Sequence, residues 1–335
     1  MKFYTNNSYK QMHACFTSTT NHICPEKLYL DITEDCNLYC RMCRDELCIK
    51  GKTMDIELFK RVVNETIPYV KSYSLFNWGE PLLVKDFKQR VLYINEHKKA
   101  DTTLDISTNG MLLSDDMIRF LCNENVIVTV SFDGANKETF ECIRRGSNFE
   151  RICSNLKRLA KSFEGEASFH VPGIYVSIQK YNVNQLKDIA KLAYELGIKR
   201  MGFGLVTSPL EYAPYINNEL REEIEDTARF LDEHGMLNDL YPTRVGDYLW
   251  SGKNYVHKDY FVLNKTCNAP LISASIGYNG DVYLCCNVGE YVDNIHTKSF
   301  LELWGSKYYD DLRYKVNSEG DMSMCCRHCT WFNRV

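Results

Sequence analysis

Six short strand-like runs, spaced by stretches of helical periodicity, limit what this 335-residue chain can fold into. The runs are Lys27–Ile32, Ser72–Trp78, Thr103–Ser107, Val126–Ser131, Gly173–Ile178 and Arg200–Gly204. Between them, Phe59, Val62, Val63 and Ile67 recur at i, i+3, i+4 and i+8, and Leu186, Ile189, Ala190 and Ala193 at i, i+3, i+4 and i+7. That spacing puts an apolar stripe on one face of a helix. Strands alternating with helices make a parallel sheet with right-handed crossovers. Six units fall short of the eight that close a barrel. The expected fold class is therefore α/β, an open, partial (β/α)6 barrel.

After a helix expected over Asn218–His234 the pattern changes. Residues 240–266 are rich in aromatics, including Tyr241, Tyr248, Trp250, Tyr255 and Tyr260, and have no clean period. Ser273–Ile276 and Asp281–Leu284, joined through Tyr278-Asn279-Gly280, read as a β-hairpin with an Asn-Gly turn. A helical stretch over Ser299–Val316 follows. The expected divisions are an extension at 1–26, the barrel at 27–236, a bridge at 237–266 and a small hairpin/helix domain at 267–335. A core that small commonly needs a metal staple.

Cysteine usage points the same way. The chain holds 15 cysteines, and its polar start, Met1–Phe16, lacks the apolar stretch of an export signal. In the cytoplasmic compartment this implies, clustered thiols point to metal before disulfide. Cys36, Cys40, Cys43 and Cys48 crowd one stretch, and Cys325, Cys326 and Cys329 another. A net charge of −4 supplies no general nucleic-acid surface, and no apolar run is long enough to span a membrane.

Cys36-x3-Cys40-x2-Cys43 follows the first strand. Three thiolates on so tight a loop can grip three corners of a cubic 4Fe-4S cluster and leave one iron open for chemistry. Cys48 could be a fourth ligand that would close the site, and a zinc loop or a coincidence of spacing is the plainer alternative. This spacing resembles the signature of the radical S-adenosylmethionine (SAM) enzymes, and the resemblance extends over the whole barrel. Asn77-Trp78-Gly79-Glu80-Pro81 is similar to the family's Gly-Gly-Glu element, in which the Gly lets the backbone approach the cofactor and the Glu accepts from the methionyl ammonium. Ser107-Thr108-Asn109-Gly110 stands where the family contacts the ribose, and Ser131-Phe132-Asp133-Gly134 ends the fourth strand. Arg144, before Gly146, resembles the family's carboxylate-binding arginine. The resemblance thus implies SAM contacts at Met42, Trp78, Gly79, Glu80, Ser107, Ser131 and Arg144. Two positions depart from the pattern: Met42 replaces an aromatic residue that packs on adenine, and Trp78 replaces the first Gly. Taken singly, Glu80 reads as a helix cap, Ser107 as a turn residue and Arg144 as a solvated helix charge.

Cys267-x12-Gly280-x4-Cys285, followed by Cys326-x2-Cys329, resembles the auxiliary-cluster "Twitch" half of the SPASM domain that follows some of these barrels. Four thiolates, Cys267, Cys285, Cys326 and Cys329, would saturate a second, auxiliary 4Fe-4S cluster. Cys286 and Cys325 adjoin the set as alternative ligands, and a zinc ribbon is the structural alternative. A longer SPASM pattern would call for cysteines beyond Cys329, and the sequence given runs only to Val335. Cys122, Cys142 and Cys153 read as small core residues, and His13, Cys15, His22 and Cys24 as unremarkable. The aromatic stretch, with Asp247, His257 and Asp259, suits either a substrate mouth or a packed linker. No general base stands out.

The resemblance implies reductive cleavage of SAM to methionine and a 5′-deoxyadenosyl radical, then hydrogen abstraction from a substrate C–H bond. The electron comes from a donor such as flavodoxin or ferredoxin. With the auxiliary cluster accepting a second electron, the expected net reaction is oxidation of a carbohydrate-like small molecule. The alternatives are a peptide-modifying enzyme (crosslinking, protein maturation) and an epimerase using a spare thiol such as Cys286 or Cys325. The 26 residues before the first strand are too few for the leader-peptide module of many peptide-modifying relatives, although that module could be a separate protein. A zinc-stapled binding protein is the non-enzymatic alternative.

Overall fold

The computed structural model describes residues 24–43, 51–165, 170–206, 209–215, 217–240, 269–286 and 291–316. Cys48, Cys267, Cys325, Cys326, Cys329 and the aromatic stretch 241–260 lie outside them, as do His13, Cys15 and His22.

The six expected strands form: β1 (Lys27–Leu30), β2 (Ser72–Ser74), β3 (Thr103–Thr108), β4 (Ile127–Ser131), β5 (Gly173–Ile178) and β6 (Arg200–Leu205). All five neighbouring pairs are parallel. The helices between them are α1 (Ile56–Thr66), α2 (Phe87–His97), α3 (Asp115–Asn123), α4 (Lys137–Ile143), α5 (Phe149–Ser162) and α6 (Leu186–Glu195), followed by α7 (Asn218–Glu233). Side-chain oxygens cap several of them, such as Asp55 on α1 and Ser114 on α3. Their stripes (Phe59, Val62 and Val63 on α1; Leu186, Ile189, Ala190 and Ala193 on α6) are fully buried against one face of the sheet. This is an α/β partial (β/α)6 barrel.

The opposite face of the sheet is polar. In β3, Leu104 and Ile106 belong to the apolar core, whereas Asp105 accepts from the hydroxyl of Ser74 at 2.8 Å and from Lys27 Nζ at 3.3 Å. Arg200 on β6 crosses Gly173 of β5 to reach β4, donating to the Val128 carbonyl and to Thr129 Oγ1, each at 3.1 Å. A closed barrel fills this space with branched apolar side chains; the open one holds hydrogen-bonded polar groups.

Most boundaries shift by no more than two residues, and two differ by more. Ser72–Trp78 reads as one strand, but the ladder ends at Ser74, and Trp78 N turns to Asp31 Oδ1 at 3.2 Å. The helix expected over Ser299–Val316 is two, α9 (Phe300–Trp304) and α10 (Lys307–Val316). Gly305 ends the first, and the Ser306 hydroxyl accepts from Tyr309 N near the start of the second.

The C-terminal hairpin, β8 (Ser273–Ile276) and β9 (Asp281–Tyr283), forms around Gly280 at φ +83° and gains a third strand, β10 (Tyr291–Asn294). It does not stand apart from the barrel. β8 follows the short helix α8 (Ala269–Ile272) and pairs parallel with β1 over Lys27↔Ser273 to Leu30↔Ile276. At the other edge the two-residue β7 (Leu237–Asn238) joins β6, giving one sheet of order β10-β9-β8-β1-β2-β3-β4-β5-β6-β7. α1 fastens the added part. Arg61 donates to the Ile295 carbonyl at 2.7 Å, and Glu65 accepts from the backbone N–H groups of Phe300 and Leu301 at the positive end of α9.

Candidate active site

Among the described residues, the barrel motifs lie at or beyond the C-terminal ends of their strands, where parallel α/β folds build their sites. β1 leads directly into the thiol loop. Cys40 is buried there, Cys36, Met42 and Cys43 are half-buried, and none of the three cysteines is in a disulfide.

The Trp78-Gly79-Glu80 turn is strapped to that loop. Glu80 N donates to the Asp35 carbonyl at 2.8 Å. Gly79 packs so closely that a Cβ would lie 2.2 Å from the Thr33 carbonyl oxygen and 2.8 Å from that of Asp35. Its lack of a side chain therefore serves approach to the backbone leading into the thiol loop.

Glu80 is 2 % exposed, and its carboxylate gathers three protein donors. These are Thr108 Oγ1 at 2.7 Å, Asn109 N at 2.7 Å and Leu82 N at 3.2 Å. It does cap the 3-10 turn Pro81–Leu83, as its plain reading held, but two of its three bonds reach across to the end of β3. Burial pushes its pKa up to about 6 against the pull of these donors. A carboxylate offers about four lone-pair directions, so one on Oε2 remains for a further donor. Asn109 continues the network, with Nδ2 2.8 Å from Asn37 Oδ1 and 3.9 Å from Cys36 Sγ.

On the other side, the segment after α4 zips onto the thiol loop. Tyr39 N bonds to the Arg145 carbonyl, Arg41 N to the Ile143 carbonyl, Arg145 Nε to the Tyr39 carbonyl and Arg41 Nε to the Cys142 carbonyl, at 2.7–3.0 Å. Gly146, at φ +87°, turns under the Tyr39 ring, 2.9 Å from where a Cβ would lie. Between these bonds Arg144 points inward. The reading of it as a solvated helix charge is overturned, for it is 7 % exposed. Its Nη2 lies 2.7 Å from Asp133 Oδ2, and its Nη1 lies 3.9 Å from Cys40 Sγ. Asp133 is fully buried and also accepts from Ser177 N at 2.7 Å.

Ser107 is a half-buried strand residue opposite Thr129 in the ladder, not a turn residue, and Ser131 ends β4 opposite Tyr175. Thr108, Asn109 and Asp133 join the site although the sequence motifs point to their neighbours Ser107 and Ser131. Asn and Asp beside a strand end carry a signal that only the partner across the sheet makes specific. Of the remaining cysteines, Cys24 is buried, whereas Cys122, Cys142 and Cys153 are half-buried on α3, α4 and α5. Cys285 and Cys286 are half-buried just beyond β9.

The three loop thiols suit a cluster. Burial pushes Cys40 up to about 12 and also raises Cys36, and each of the two is raised further by neighbouring thiols of the triad. A bound metal reverses this, deprotonating the thiol outright. N–H groups already face the sulfurs, with Leu38 N 3.4 Å from Cys36 Sγ besides Asn109 and Arg144. Among the described residues no three Cys, His, Asp or Glu side chains converge as on a single ion. Thiols that each grip a different iron of a cluster need not converge.

The chain matches two family models, the radical SAM superfamily over residues 30–193 and an iron–sulfur cluster-binding domain, SPASM, over 267–330. The second description speaks for iron–sulfur over zinc. The chain is 29% identical over 316 residues to the tungsten-containing aldehyde ferredoxin oxidoreductase cofactor-modifying protein of Pyrococcus furiosus, covering 86% of this chain and 83% of that one. It is 25% identical to the cysteine-type anaerobic sulfatase-maturating enzyme of Clostridium novyi over 90% of this chain and 83% of that one. The fold superposes on Streptococcus suis SuiB, solved with its precursor peptide SuiA, at a TM-score of 0.70 and 18% identity, covering 97% of this chain and 75% of that one. Thiol loop, barrel and C-terminal domain together identify the chain as a member of the radical SAM superfamily with a C-terminal SPASM domain, whose cofactors are SAM and 4Fe-4S clusters.

Proposed function

We propose that this chain is a radical SAM enzyme that modifies a peptide or protein, with Cys36, Cys40 and Cys43 holding the SAM-binding cluster. The observation that carries the reading is the convergence on one loop of the Glu80–Asn109 network and the Asp133–Arg144 pair, all above a polar lumen. Bound there, the cluster and SAM supply reductive cleavage of SAM and hydrogen-atom abstraction from a C–H bond.

The chain's own residues bind, orient and shield. Gly79 and Glu80 hold the connection after β2 against the backbone leading into the thiol loop, and the spare acceptor of Glu80 Oε2 receives the methionyl ammonium. Met42, Trp78, Ser107 and Ser131 bound the nucleoside and methionine ends, and Arg144 faces the carboxylate. Cys267, Cys285, Cys326 and Cys329 hold the auxiliary cluster, and a flavodoxin- or ferredoxin-type protein delivers electrons. The domain divisions at 27–236 and 267–335 are proposed on the same footing.

The substrate class follows the relatives. A sulfatase-maturating enzyme and a precursor-peptide enzyme stand beside this chain, which favours peptide modification over the carbohydrate oxidation expected from the sequence. The test is anaerobic incubation with SAM, dithionite and peptides encoded beside the gene, read by mass spectrometry in H2O and in D2O. A peptide lighter by two hydrogens fits oxidation or crosslinking. Unchanged mass in H2O with one deuterium gained in D2O fits epimerisation, with Cys286 the first described thiol to replace. Peptides left untouched while an aminocyclitol or sugar loses two hydrogens would return the substrate to the carbohydrate class.

A further inference from the structure

Arg144 has a geometry that the binding of a substrate carboxylate does not require. Its Nη2 is held by a fully buried carboxylate, Asp133, at 2.7 Å, and Nη1 is directed at a sulfur, Cys40 Sγ, at 3.9 Å. Asp133 is itself fixed from two sides. Its Oδ1 accepts from Ser177 N at 2.7 Å, and its carbonyl accepts from Asn182 Nδ2 at 2.9 Å. The backbone around Arg144 is locked to the thiol loop through Arg41 and Arg145, so guanidinium and sulfur move as one unit. The charged groups facing Cys40 are Cys36, Cys43 and Asp133, all negative when ionised, and Arg144. Arg144 also faces Glu80.

Iron–sulfur reduction potentials depend on net charge, hydrogen bonds to sulfur and burial. Reduction adds one electron, from an external low-potential donor, to an already anionic cluster and transfers no atoms. A buried cation beside one ligand sulfur favours the reduced state, and the carboxylate behind it opposes that effect. We propose that Arg144, aimed by Asp133, is a positioning residue that raises the reduction potential of the cluster held by Cys36, Cys40 and Cys43. The inference rests on that cluster reading, and it concerns the cluster before SAM binds.

The experiment is a SAM-free redox titration of the anaerobically reconstituted full-length protein, followed by electron paramagnetic resonance. The Cys36→Ala/Cys40→Ala/Cys43→Ala protein supplies the auxiliary-cluster signal to subtract. Arg144→Gln should lower the ratio of reduced to oxidised cluster about tenfold at a fixed potential, a shift of ~59 mV for one electron. Arg144→Lys, which keeps the charge, should stay within about threefold of wild type, and Asp133→Asn should shift the ratio in the opposite direction to Arg144→Gln. A purely structural role does not produce shifts of opposite sign.

Arg144→Gln leaves Asp133 buried and unpaired. If it loses iron or fails to fold, Asp133→Asn alone carries the test and must raise the ratio. Unchanged ratios, or shifts of the same sign, overturn the proposal. So does loss of SAM affinity in Arg144→Gln with no shift in potential, which confines the arginine to the SAM carboxylate. If the triple cysteine protein keeps all its iron, the cluster reading fails instead, which is a distinguishable result.

Discussion

Replacing Glu80 separates its structural work from its proposed work on SAM. The wild-type carboxylate holds two backbone N–H groups and one hydroxyl with no solvent behind them. Glu80→Ala strands the N–H groups of Asn109 and of Leu82, the latter being the cap of the 3-10 turn, at ~1–3 kcal/mol each. A loss of roughly 2–5 kcal/mol in the cluster-free protein follows.

Glu80→Gln behaves differently. Its amide keeps one oxygen for Thr108 and Leu82 but turns an NH2 toward Asn109 N, a mismatch of ~1–3 kcal/mol. Against this, the folded carboxyl is raised from 4.5 to about 6, so at neutral pH the folded state carries a charge penalty of roughly 2 kcal/mol that the amide lacks. The sign follows from the raised folded value. The unfolded state ionises first, so the wild type loses stability as pH climbs from 4.5 through about 6 and then levels off. Glu80→Gln should therefore be clearly destabilising at pH 4.5 and within about 1 kcal/mol of wild type at pH 7.5.

Urea unfolding of the reduced, cluster-free protein at both pH values measures this. In the reconstituted protein at pH 7.5 the same variant should bind SAM roughly tenfold or more weakly, through loss of a charge-assisted bond worth ~1.5–3 kcal/mol. Wild-type SAM binding should likewise weaken below about pH 6 as the carboxyl protonates. A stable Glu80→Gln protein with unaltered SAM affinity would return Glu80 to a capping and bridging role alone.

Replacing Cys36, Cys40 and Cys43 by Ala should reduce reconstituted iron from about eight to about four per chain and abolish 5′-deoxyadenosine formation, measured by colorimetric iron assay and chromatography. Gly79→Ala drives a methyl into two backbone carbonyls and should cost ~1–3 kcal/mol or more, with loss of the SAM-binding cluster after reconstitution. An unchanged urea midpoint there would contradict the close approach. Gly146→Ala combines positive φ with the Tyr39 ring and should cost about 1–3 kcal/mol by thermal unfolding, whereas Asp101→Ala, exposed in the turn before β3, should cost under about 0.5 kcal/mol.

The six barrel strands and the helices between them are legible in the sequence because their information is local. Period 3.6 buries Phe59, Val62 and Val63, and the apolar positions of β3 and β5 alternate with polar ones on the other face. The Asn-Gly hairpin and the thiol spacing are local in the same sense. The end of β2 misleads because Leu75, Phe76 and Trp78 have strand composition, while a contact 47 residues away, Trp78 N to Asp31, turns the chain out of the sheet.

The addition of the C-terminal hairpin to β1 is invisible for a related reason. Lys27 and Ser273 carry no mark of each other, and only folding of the whole chain brings β1's open edge to β8. The site divides along the same line. The cysteines, Glu80 and Arg144 stand out by residue type and order. That Glu80 grips Thr108 and Asn109, that Gly79 clears the Thr33 carbonyl and that Asp133 turns Arg144 toward Cys40 are long-range pairings. Burial gives these polar groups their weight, and burial is a property of the assembled sheet and helices, not of any segment by itself.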